Sequence, residues 1–260
     1  MGMSMNVPDR GLRGKVALIA GGGGIGGQTA RRLAAEGCKV MVGDLFVDGA
    51  EATARSIRGS GGICVAHGYD QASDASVQAL IEATLREYGT IDFLLANAAD
   101  MAALAQDSDL LAIDMAVFDR TMAVGMRGIV MCARLALPYI VANRGAVVFM
   151  SSGASHAGEA QRFSYAMAKT AINALMRHIA RRWGPEGVRA NAILPGLVLS
   201  EHVKESMDKD FIAQMLSSVP SDRLGEPADI AAMVAMLFSR DGAWINGQTL
   251  SVDGGTSMRP

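Results

Sequence analysis

The chain has few of the residues that bind metals or form disulfides. Its 260 residues include three cysteines, Cys38, Cys64 and Cys132, and four histidines. An odd number of distant cysteines does not make a disulfide framework, and neither residue type is grouped at metal-ligand spacing. The sequence therefore predicts reduced thiols, no metal site and a cytoplasmic location.

Excess charge of one sign and long apolar runs are also missing. The formal net charge is -2 and the isoelectric point is about 6.1, which argues against nucleic acid or an acidic membrane as a partner. The opening segment MGMSMNVPDRGLRG is polar, without the apolar stretch of a signal peptide, so residues 1–11 are expected to form a flexible N-terminus. The longest apolar runs are interrupted by charge or glycine, so we expect no membrane-spanning segment.

Hydrophobic residues make up 50% of the chain, enough for one sizeable core. Strands are predicted over residues 15–20, 39–43, 63–66, 91–96, 146–150, 188–194 and 248–252. Helices are predicted over residues 25–36, 48–58, 73–88, 115–137 (ended by Pro138) and 164–183. Continuously apolar strands that alternate with helices indicate an α/β fold with a parallel seven-stranded sheet covered on both faces. We expect a single doubly wound domain over residues 12–260.

A glycine-rich loop joins the first predicted strand to the first predicted helix. Gly21, Gly23 and Gly26 satisfy the pattern G-x-G-x-x-G. Glycine permits the tight turn and lets a pyrophosphate approach the backbone amides at the helix N-terminus. With a strand before it and a helix after it, the loop is typical of a Rossmann domain that binds a dinucleotide rather than of a merely flexible turn.

An acidic residue follows at the end of the second predicted strand. Asp44 lies eighteen residues after Gly26, where a carboxylate can accept hydrogen bonds from both ribose hydroxyls of a dinucleotide. The same charge would repel a 2′-phosphate, and neither the glycine loop nor the positions beside Asp44 hold a Lys or Arg. The sequence therefore predicts NAD as the cofactor, with NADP disfavoured.

Tyr165 and Lys169 stand four positions apart in a predicted helix, so they share one face. A cation roughly 5 Å from a phenol contributes about 3 kcal/mol at an effective dielectric of ~20, which would lower the pKa of the Tyr enough to make it a usable proton carrier. Ser152 lies thirteen residues before Tyr165, after an apolar strand, and can bring a hydroxyl to the same place. These three residues predict a proton-transfer site.

Together these features resemble the short-chain dehydrogenase/reductase family, from Leu12 to about Met258. The family's Tyr-x-x-x-Lys motif falls on Tyr165 to Lys169, and its serine falls on Ser152. Further matches are Pro195-Gly196 after the sixth strand, Asp70 after the third strand, and the C-terminal segments 223–227 and 252–255.

The resemblance implies a NAD-dependent oxidoreductase that interconverts a secondary alcohol and a ketone, with Ser152, Tyr165 and Lys169 as the catalytic residues. The implied cofactor-binding residues are Gly21, Gly23, Gly24, Ile25, Gly26, Asp44, Leu45, Asp70, Gln71, Asn97, Ala98, Ala99, Tyr165, Lys169, Pro195, Gly196, Val198 and Ser200. The implied substrate-binding residues are Ser152, Ala154, His156, Tyr165 and Leu197. The resemblance also implies a mobile lid at about 198–222 and a homotetramer built on the helices at 115–137 and 164–183.

The chain departs from the family's pattern at three places. The glycine loop is one residue shorter, with Ala20 where Thr is usual, and the Asn-Asn-Ala-Gly motif becomes Ala-Asn-Ala-Ala at 96–99. The helix Asn that supports a water chain to the Lys aligns with Gly125. A proton relay here must use water or another residue. An NADPH-dependent ketone reductase, and a cofactor-binding scaffold with weakened catalysis, remain as alternatives.

Two further stretches have an open interpretation. The acidic residues Asp107, Asp109 and Asp114 are expected to form a solvated loop. Apolar residues at helical spacing in the lid region favour either an apolar substrate or simple packing of the lid on the core. Those residues are Met207, Phe211, Met215 and Leu216.

Overall fold

The computed structural model describes residues 9–258, except the side chains of His202 and Ser206. The predicted flexible N-terminus, 1–11, lies outside the described residues apart from its last three. Seven parallel strands form one sheet in the order β3-β2-β1-β4-β5-β6-β7, which confirms the predicted fold class. The strands are β1 Val16–Ala20, β2 Lys39–Asp44, β3 Ile63–Gly68, β4 Phe93–Ala96, β5 Ala146–Met150, β6 Arg189–Pro195 and β7 Thr249–Val252.

Helices cover both faces of this sheet. They are α1 Gly24–Ala35, α2 Val47–Gly59, α3 Asp74–Tyr88, α4 Met101–Gln106, α5 Met115–Met122, α6 Ile129–Ala142, α7 Phe163–Trp183, α8 Glu201–Ser206, α9 Lys209–Ser218 and α10 Pro227–Phe238. A π-helical segment, Ala123–Gly128, joins α5 to α6 without a break.

The hydrophobic core has two layers, one on each face of the sheet. Helices α1, α2 and α10 pack on one face, where the rings of Phe93 and Phe238 stack with centroids 4.8 Å apart. Helices α3, α6 and α7 pack on the other face through residues such as Leu80 and Ile140. Because helices bury both faces, β1 and β5 are apolar at every position, which is the pattern that predicted a parallel sheet.

The cysteines divide between these two layers. Cys38 and Cys64 belong to the layer under α1 and α2, and Cys132 belongs to the layer under α6. All three are buried free thiols, and burial raises the pKa of each to about 12. Thiols in this state are poor nucleophiles, in keeping with a structural role.

The expectation that Pro138 ends the fourth predicted helix is wrong. The helix continues to Ala142 with Pro138 inside it. A proline in a helix interior costs ~3 kcal/mol, because it removes a hydrogen bond and crowds the preceding turn. Leu137 and Ile140 on either side of the proline are buried in the core, and this packing offsets the cost.

The helical stretch Met115–Ala142 is, by length and composition alone, apolar enough to cross a membrane. The expectation that no segment reaches that length is therefore not met by this criterion. The same criterion is satisfied by core helices of globular domains, and α6 buries Ile129, Cys132 and Ala136 against the sheet.

Helix α10 was absent from the sequence interpretation. Its residues 230–238 are almost entirely apolar, so they carry little of the polar-apolar periodicity by which a helix is recognised. Residues 198–222, which the resemblance predicts to form a lid, contain the short helices α8 and α9. Phe211 and Leu216 of α9 are exposed.

Candidate active site

The order of the strands creates a crevice at the carboxyl ends of β1 and β4. The chain proceeds outward from β1 in one direction and from β4 in the other, so the loops after these strands diverge. The predicted site residues before α7 all lie at or just after a strand's carboxyl end. They fall after β1 (21–26), at or after β2 (44–45), after β3 (70–71), after β4 (97–99) and after β5 (152–156), and the Pro-Gly segment follows in β6 and beyond (195–200).

The glycine loop is shaped by close backbone contacts. Gly21 has φ +106°, and a Cβ atom there would lie 2.4 Å from the amide nitrogen of Ala98. A Cβ atom on Gly26 would lie 1.9 Å from the carbonyl oxygen of Gly21. Asn97 donates from Nδ2 to that same carbonyl at 2.8 Å, so the Asn that remains in the altered Ala-Asn-Ala-Ala segment supports the loop. Side chains at Gly21 or Gly26 are excluded by the fold itself.

The loop presents an uncharged helix N-terminus to the crevice. Helix α1 starts Gly-Ile-Gly-Gly, and Gly23 precedes it as the N-cap. The first-turn amides of such a helix lack intrahelical acceptors and carry partial positive charge, which suits an anion. Ser200, the N-cap of α8, packs close against Gly24 and closes the other side of the loop.

Asp44 is joined directly to this loop. Its Oδ2 atom accepts the Gly22 amide at 2.6 Å, and its Oδ1 atom accepts the Phe46 amide at 2.9 Å. The neighbouring Leu45 is 56% exposed, so it is available at the surface beside the acid. The carboxylate is therefore held at the carboxyl end of β2, as the sequence predicts.

Ser152, Tyr165 and Lys169 come together across β5 and α7. Ser152 follows β5, and its hydroxyl lies close enough to the phenol of Tyr165, in the first turn of α7, to favour the ionised form of that phenol. The Nζ atom of Lys169 lies 5.4 Å from the centre of the Tyr165 ring and donates to the carbonyl of Met150 at 2.7 Å. These contacts place all three predicted catalytic side chains in one cluster.

The electrostatics of this cluster differ from the expectation. Burial raises the pKa of Tyr165 above its ordinary value, although the Ser152 hydrogen bond and the charge of Arg162 oppose the rise. Burial lowers the pKa of Lys169 to about 8. The protein's own groups thus do not lower the pKa of the Tyr, because desolvation of the phenolate outweighs their attraction.

A polar network holds the turn after Ser152 against α7. Ser155 donates from its hydroxyl to the carbonyl of Ser152 at 2.7 Å, and Asn173 donates to the hydroxyl of Ser155 at 2.9 Å. Asn173 is 2% exposed and lies one turn beyond Lys169, on the same helix face. The sequence interpretation missed Asn173, although the four-residue spacing from Lys169 was a signal that could have found it.

Asp107 is buried, so the expectation of a solvated acidic loop is wrong at this position. The residue is 7% exposed, and Oδ2 accepts hydrogen bonds from the hydroxyl of Ser164 at 2.6 Å and from the amide of Tyr165 at 2.8 Å. Asp109 and Asp114 accept local amides, and Asp114 is the N-cap of α5. Sequence reasoning could not separate these three acids, because Asp107 meets its partners more than fifty positions away.

Gly125 lies in the π-helical segment and opposite α7. A Cβ atom at Gly125 would lie 3.2 Å from the Cβ atom of Ala168. A small cavity, about large enough for one water molecule, is lined here by Ala99, Asp100, Leu104, Thr121, Gly125, Tyr165, Ala168 and Lys169. Among the described residues, the buried hydroxyl of Thr121 has no hydrogen-bond partner. Where the family has an Asn side chain, this protein has Gly125, the small cavity beside it and the buried hydroxyl of Thr121.

Gln71, implied as a cofactor contact, has its side chain engaged inside the protein. It is 4% exposed, accepts the hydroxyl of Tyr69 at 2.9 Å and donates to the carbonyl of Val124 at 2.6 Å. Asp70 accepts the amide of Ala72 at 2.9 Å. The Gln71 side chain thus supports the π-helical segment, and its backbone carbonyl packs closely against Gly128 of the same segment.

Of the implied substrate contacts, Ala154 contacts the cluster directly, since its amide donates to the Ser152 hydroxyl at 3.2 Å. Ala154 and Leu197 are half-buried and His156 is exposed. Val198 pairs with Gly225 in an isolated bridge, which holds the start of the predicted lid at 198–222. A Cβ atom at Gly196 would lie 2.8 Å from Asp253, so the Pro-Gly segment packs tightly on the C-terminal loop.

This combination of a Rossmann crevice, a glycine loop and a Ser-Tyr-Lys cluster defines the class of dinucleotide-linked oxidoreductases. A family model described as enoyl-(acyl carrier protein) reductase matches residues 19–257. A probable short-chain type dehydrogenase/reductase from Bradyrhizobium diazoefficiens is 37% identical over 246 residues, which are 94% of this chain and 88% of the relative. The chain belongs to the short-chain dehydrogenase/reductase family.

Other relatives have named activities or bound ligands. D-threitol dehydrogenase from Mycolicibacterium smegmatis is 35% identical over 250 residues, 95% of each chain. A 7α-hydroxysteroid dehydrogenase complexed with NADH and 7-oxo glycochenodeoxycholic acid superposes with a TM-score of 0.88 at 31% identity, covering 96% of this chain and 98% of that one. A blue fluorescent protein in complex with NADPH superposes with a TM-score of 0.86 at 28% identity, covering 95% and 99%.

Proposed function

We propose that this protein is a NAD-dependent oxidoreductase that interconverts a secondary alcohol and a ketone. The observation that carries the proposal is the Ser152–Tyr165–Lys169 cluster, in which the Lys169 Nζ atom lies 5.4 Å from the Tyr165 ring centre. The cluster lies at the same sheet edge as the glycine loop. A proton carrier and a dinucleotide cradle at one edge are the two halves of a hydride-transfer site.

The residues present fit a nicotinamide dinucleotide. A Cβ atom at Gly23 would have nothing within 4 Å, so the backbone of the loop is open there to a pyrophosphate. Asp44 would hold the adenosine ribose, and Lys169 would donate to the nicotinamide ribose. When bound, the cofactor supplies the hydride acceptor or donor and, in its oxidised form, a positive charge.

In the oxidation direction, the phenolate of Tyr165 takes the proton from the alcohol. Ser152 donates a hydrogen bond to the substrate oxygen as carbonyl character develops. Lys169 holds a positive charge near the phenolate; at neutral pH, below its pKa of about 8, the ammonium form predominates. In the reduction direction, Tyr165 returns the proton to the carbonyl oxygen.

The preference for NAD over NADP is supported by Asp44. Its two oxygens accept the amides of Gly22 and Phe46, so the carboxylate is fixed where a ribose hydroxyl can donate to it. A 2′-phosphate at this place would meet a fixed negative charge. The alternative is an NADPH-dependent reductase, which kinetics with both cofactors distinguish.

The test is a substrate panel followed by nicotinamide absorbance with NAD, NADP and their reduced forms. The panel includes a polyol, a hydroxycyclohexane carboxylate and a hydroxysteroid, the chemical types named for D-threitol, cis-4-hydroxycyclohexanecarboxylate and 7α-hydroxysteroid dehydrogenases among the relatives. Tyr165→Phe is expected to lower kcat by about 10²- to 10⁴-fold while NAD binding by calorimetry persists. Tyr139→Phe, at the far end of α6, is the matched control. Near-normal turnover by Tyr165→Phe refutes the assignment.

The protein is further proposed to be a homotetramer in the cytoplasm. Support for self-association comes from apolar side chains exposed on the π-helical segment, α6 and α7, namely Met126, Val130 and Met167, which are 37%, 40% and 52% exposed. Sedimentation equilibrium of the wild type against Val130→Glu checks this assembly, and a wild-type monomer contradicts it.

A further inference from the structure

Tyr165, the proposed proton carrier, lies near the N-terminal end of its helix. Helix α7 begins at Phe163, so Tyr165 belongs to the first turn, whereas Lys169 lies one turn deeper. Amides in a first turn have no intrahelical acceptor, and helix ends fray unless a cap supplies one. The position of the Tyr165 phenol therefore depends on how this turn is closed.

The residue that would ordinarily cap the helix does not do so. Arg162 occupies the N-cap position with φ +62°, and in the described part of the chain its side chain makes no capping hydrogen bond. A left-handed backbone is unfavourable for an arginine and persists only where neighbours hold it. Ser108 supplies one such hold, because its carbonyl accepts the Arg162 amide at 3.0 Å.

Asp107 supplies the missing cap from a distant loop. Its Oδ2 atom accepts the amide of Tyr165, the third helical residue, at 2.8 Å. The amide of the third helical residue commonly donates a hydrogen bond to the side chain of the N-cap residue. The same Oδ2 atom accepts the Ser164 hydroxyl at 2.6 Å, and the acid is 7% exposed. A negative charge here also meets the positive end of the helix dipole.

We propose that Asp107 is a positioning residue that fixes the first turn of α7 and thereby holds the phenol of Tyr165 in register with Ser152 and the substrate oxygen. The inference rests on the proposed function, because it assigns a consequence to the proton carrier named there. Asp107 and Ser108 together hold residues 162–165, Asp107 through the Tyr165 amide and the Ser164 hydroxyl and Ser108 through the Arg162 amide. We call this pair of residues the clamp. The clamp links the loop after α4 to the reacting hydroxyl.

The clamp acts on Tyr165 more than on Lys169. The Lys169 Nζ atom has its own anchor on the Met150 carbonyl, and Lys169 lies beyond the first turn of α7, whose amides lack intrahelical acceptors. Loosening the first turn therefore moves the phenol while the lysine stays in place. Loss of the clamp should lower kcat and leave the KM for NAD nearly unchanged.

The clamp needs only one hydrogen-bond acceptor from the Asp107 side chain, because the second oxygen, Oδ1, takes no part in it. Oδ1 is buried and, among the described residues, has no hydrogen-bond partner. An asparagine can accept both existing hydrogen bonds through its own carbonyl oxygen, and its amide group would take the place of the unpartnered Oδ1. Asp107→Asn should therefore keep the clamp, whereas Asp107→Ala should remove it.

The experiment compares Asp107→Ala, Asp107→Asn and Ser164→Ala with Asp109→Ala as the matched control. Asp109 lies on the same loop and accepts the amides of Leu111 and Ala112 within that loop. Each variant is measured for kcat, for KM with NAD and substrate, for the pH profile, and for hydrogen exchange in the peptide covering 160–168.

Asp107→Ala is expected to lose about ten- to a hundredfold in kcat, with faster exchange at 163–166 and an unchanged KM for NAD. Asp107→Asn should stay within about threefold of the wild type and keep its pH profile, which distinguishes positioning from proton transfer by the acid itself. Ser164→Ala should keep the amide contact and most of the activity. Asp109→Ala should match the wild type.

Two results overturn the inference. One is wild-type kcat in Asp107→Ala; the other is an Asp107→Asn variant that loses activity as fully as Asp107→Ala although exchange at 163–166 is normal. If Asp107→Ala fails to fold, the comparison of Asp107→Asn with Ser164→Ala decides, since equal large losses in both contradict the clamp. Failure of the proposed function would appear instead as a wild-type protein without turnover, and the exchange measurement still tests the cap in that case.

Discussion

The amide of Gly22 donates to the Oδ2 atom of Asp44 at 2.6 Å, so the acid at the end of β2 is bonded to the loop that faces the pyrophosphate. This contact orients the carboxylate before a ribose arrives. In the proposed function, where Asp44 holds the adenosine ribose, this hydrogen bond would couple selection of the sugar to binding of the phosphates.

Asp44→Asn is expected to weaken the preference for NAD. The asparagine side chain retains an acceptor for the Gly22 amide. It lacks the negative charge that, in Asp44, repels a 2′-phosphate and strengthens the hydrogen bonds to the ribose. Hydrogen bonds to charged groups contribute about 1.5–3 kcal/mol, so kcat/KM with NAD should fall about 10- to 100-fold while that with NADP rises. Asp48→Asn, exposed in the first turn of α2, is the control. An unchanged ratio between the two cofactors would refute the role of Asp44.

Two glycines of the loop should respond differently to the same added methyl group. Gly21→Ala places a Cβ atom 2.4 Å from the Ala98 amide at φ +106°, so it should lower the free energy of unfolding by more than about 2 kcal/mol. Gly23→Ala has nothing within 4 Å of its Cβ and φ -62°, so stability should be unchanged. Its methyl group would stand where the pyrophosphate approaches, so NAD binding should weaken. Urea unfolding and calorimetry separate the two effects, and equal stability of both variants contradicts this assignment.

Lys169 should make the stability of the protein depend on pH. Burial lowers its pKa from 10.5 to about 8, so below pH 8 both states are protonated and folding carries the full cost of a buried charge. Between pH 8 and 10.5 the unfolded chain binds the proton and the native protein does not, so stability rises with pH by about 3 kcal/mol from this group.

Replacement of the lysine tests that pH dependence. Lys169→Met removes the buried charge but leaves the Met150 carbonyl without its donor, which costs about 1 kcal/mol. The free energy of unfolding of Lys169→Met, measured in urea at pH 7, should therefore exceed that of the wild type by about 2 kcal/mol. This difference should disappear towards pH 10.5. The control is Lys209→Met on the exposed face of α9. A variant less stable than the wild type at pH 7 would contradict the argument.

The cavity beside Gly125 should hold a water bonded to Thr121. Its size suits one water, and the Thr121 hydroxyl is a buried polar atom lacking a partner among the described residues. Because Tyr165 and Lys169 line the same cavity, this water would connect the Ser152–Tyr165–Lys169 cluster to the Thr121 hydroxyl. Thr121→Val should lower kcat several-fold and enlarge the solvent isotope effect, and Thr121→Ser should restore both. Equal rates in the two variants would exclude such a water from the reaction.

The inner strands β1, β4 and β5 could be found from the sequence because burial on both faces leaves an unbroken apolar run. The edge strands β3 and β7 are only partly buried and carry a weaker form of the same signal. The face shared by Tyr165 and Lys169 follows from helical spacing alone. The clamp by Asp107 could not be predicted, since nothing local distinguishes that acid from Asp109. Its role depends on the left-handed backbone of Arg162, which only the tertiary structure reveals.

The three buried thiols give each layer of the core its own chemical reporter. Their pKa values of about 12 make them unreactive towards alkylating reagents while the protein is folded. Labelling of Cys38 or Cys64 requires the layer under α1 and α2 to open, and labelling of Cys132 requires the layer under α6 to open. The order in which a thiol reagent modifies them in the unaltered protein would show which face of the sheet separates from its helices first.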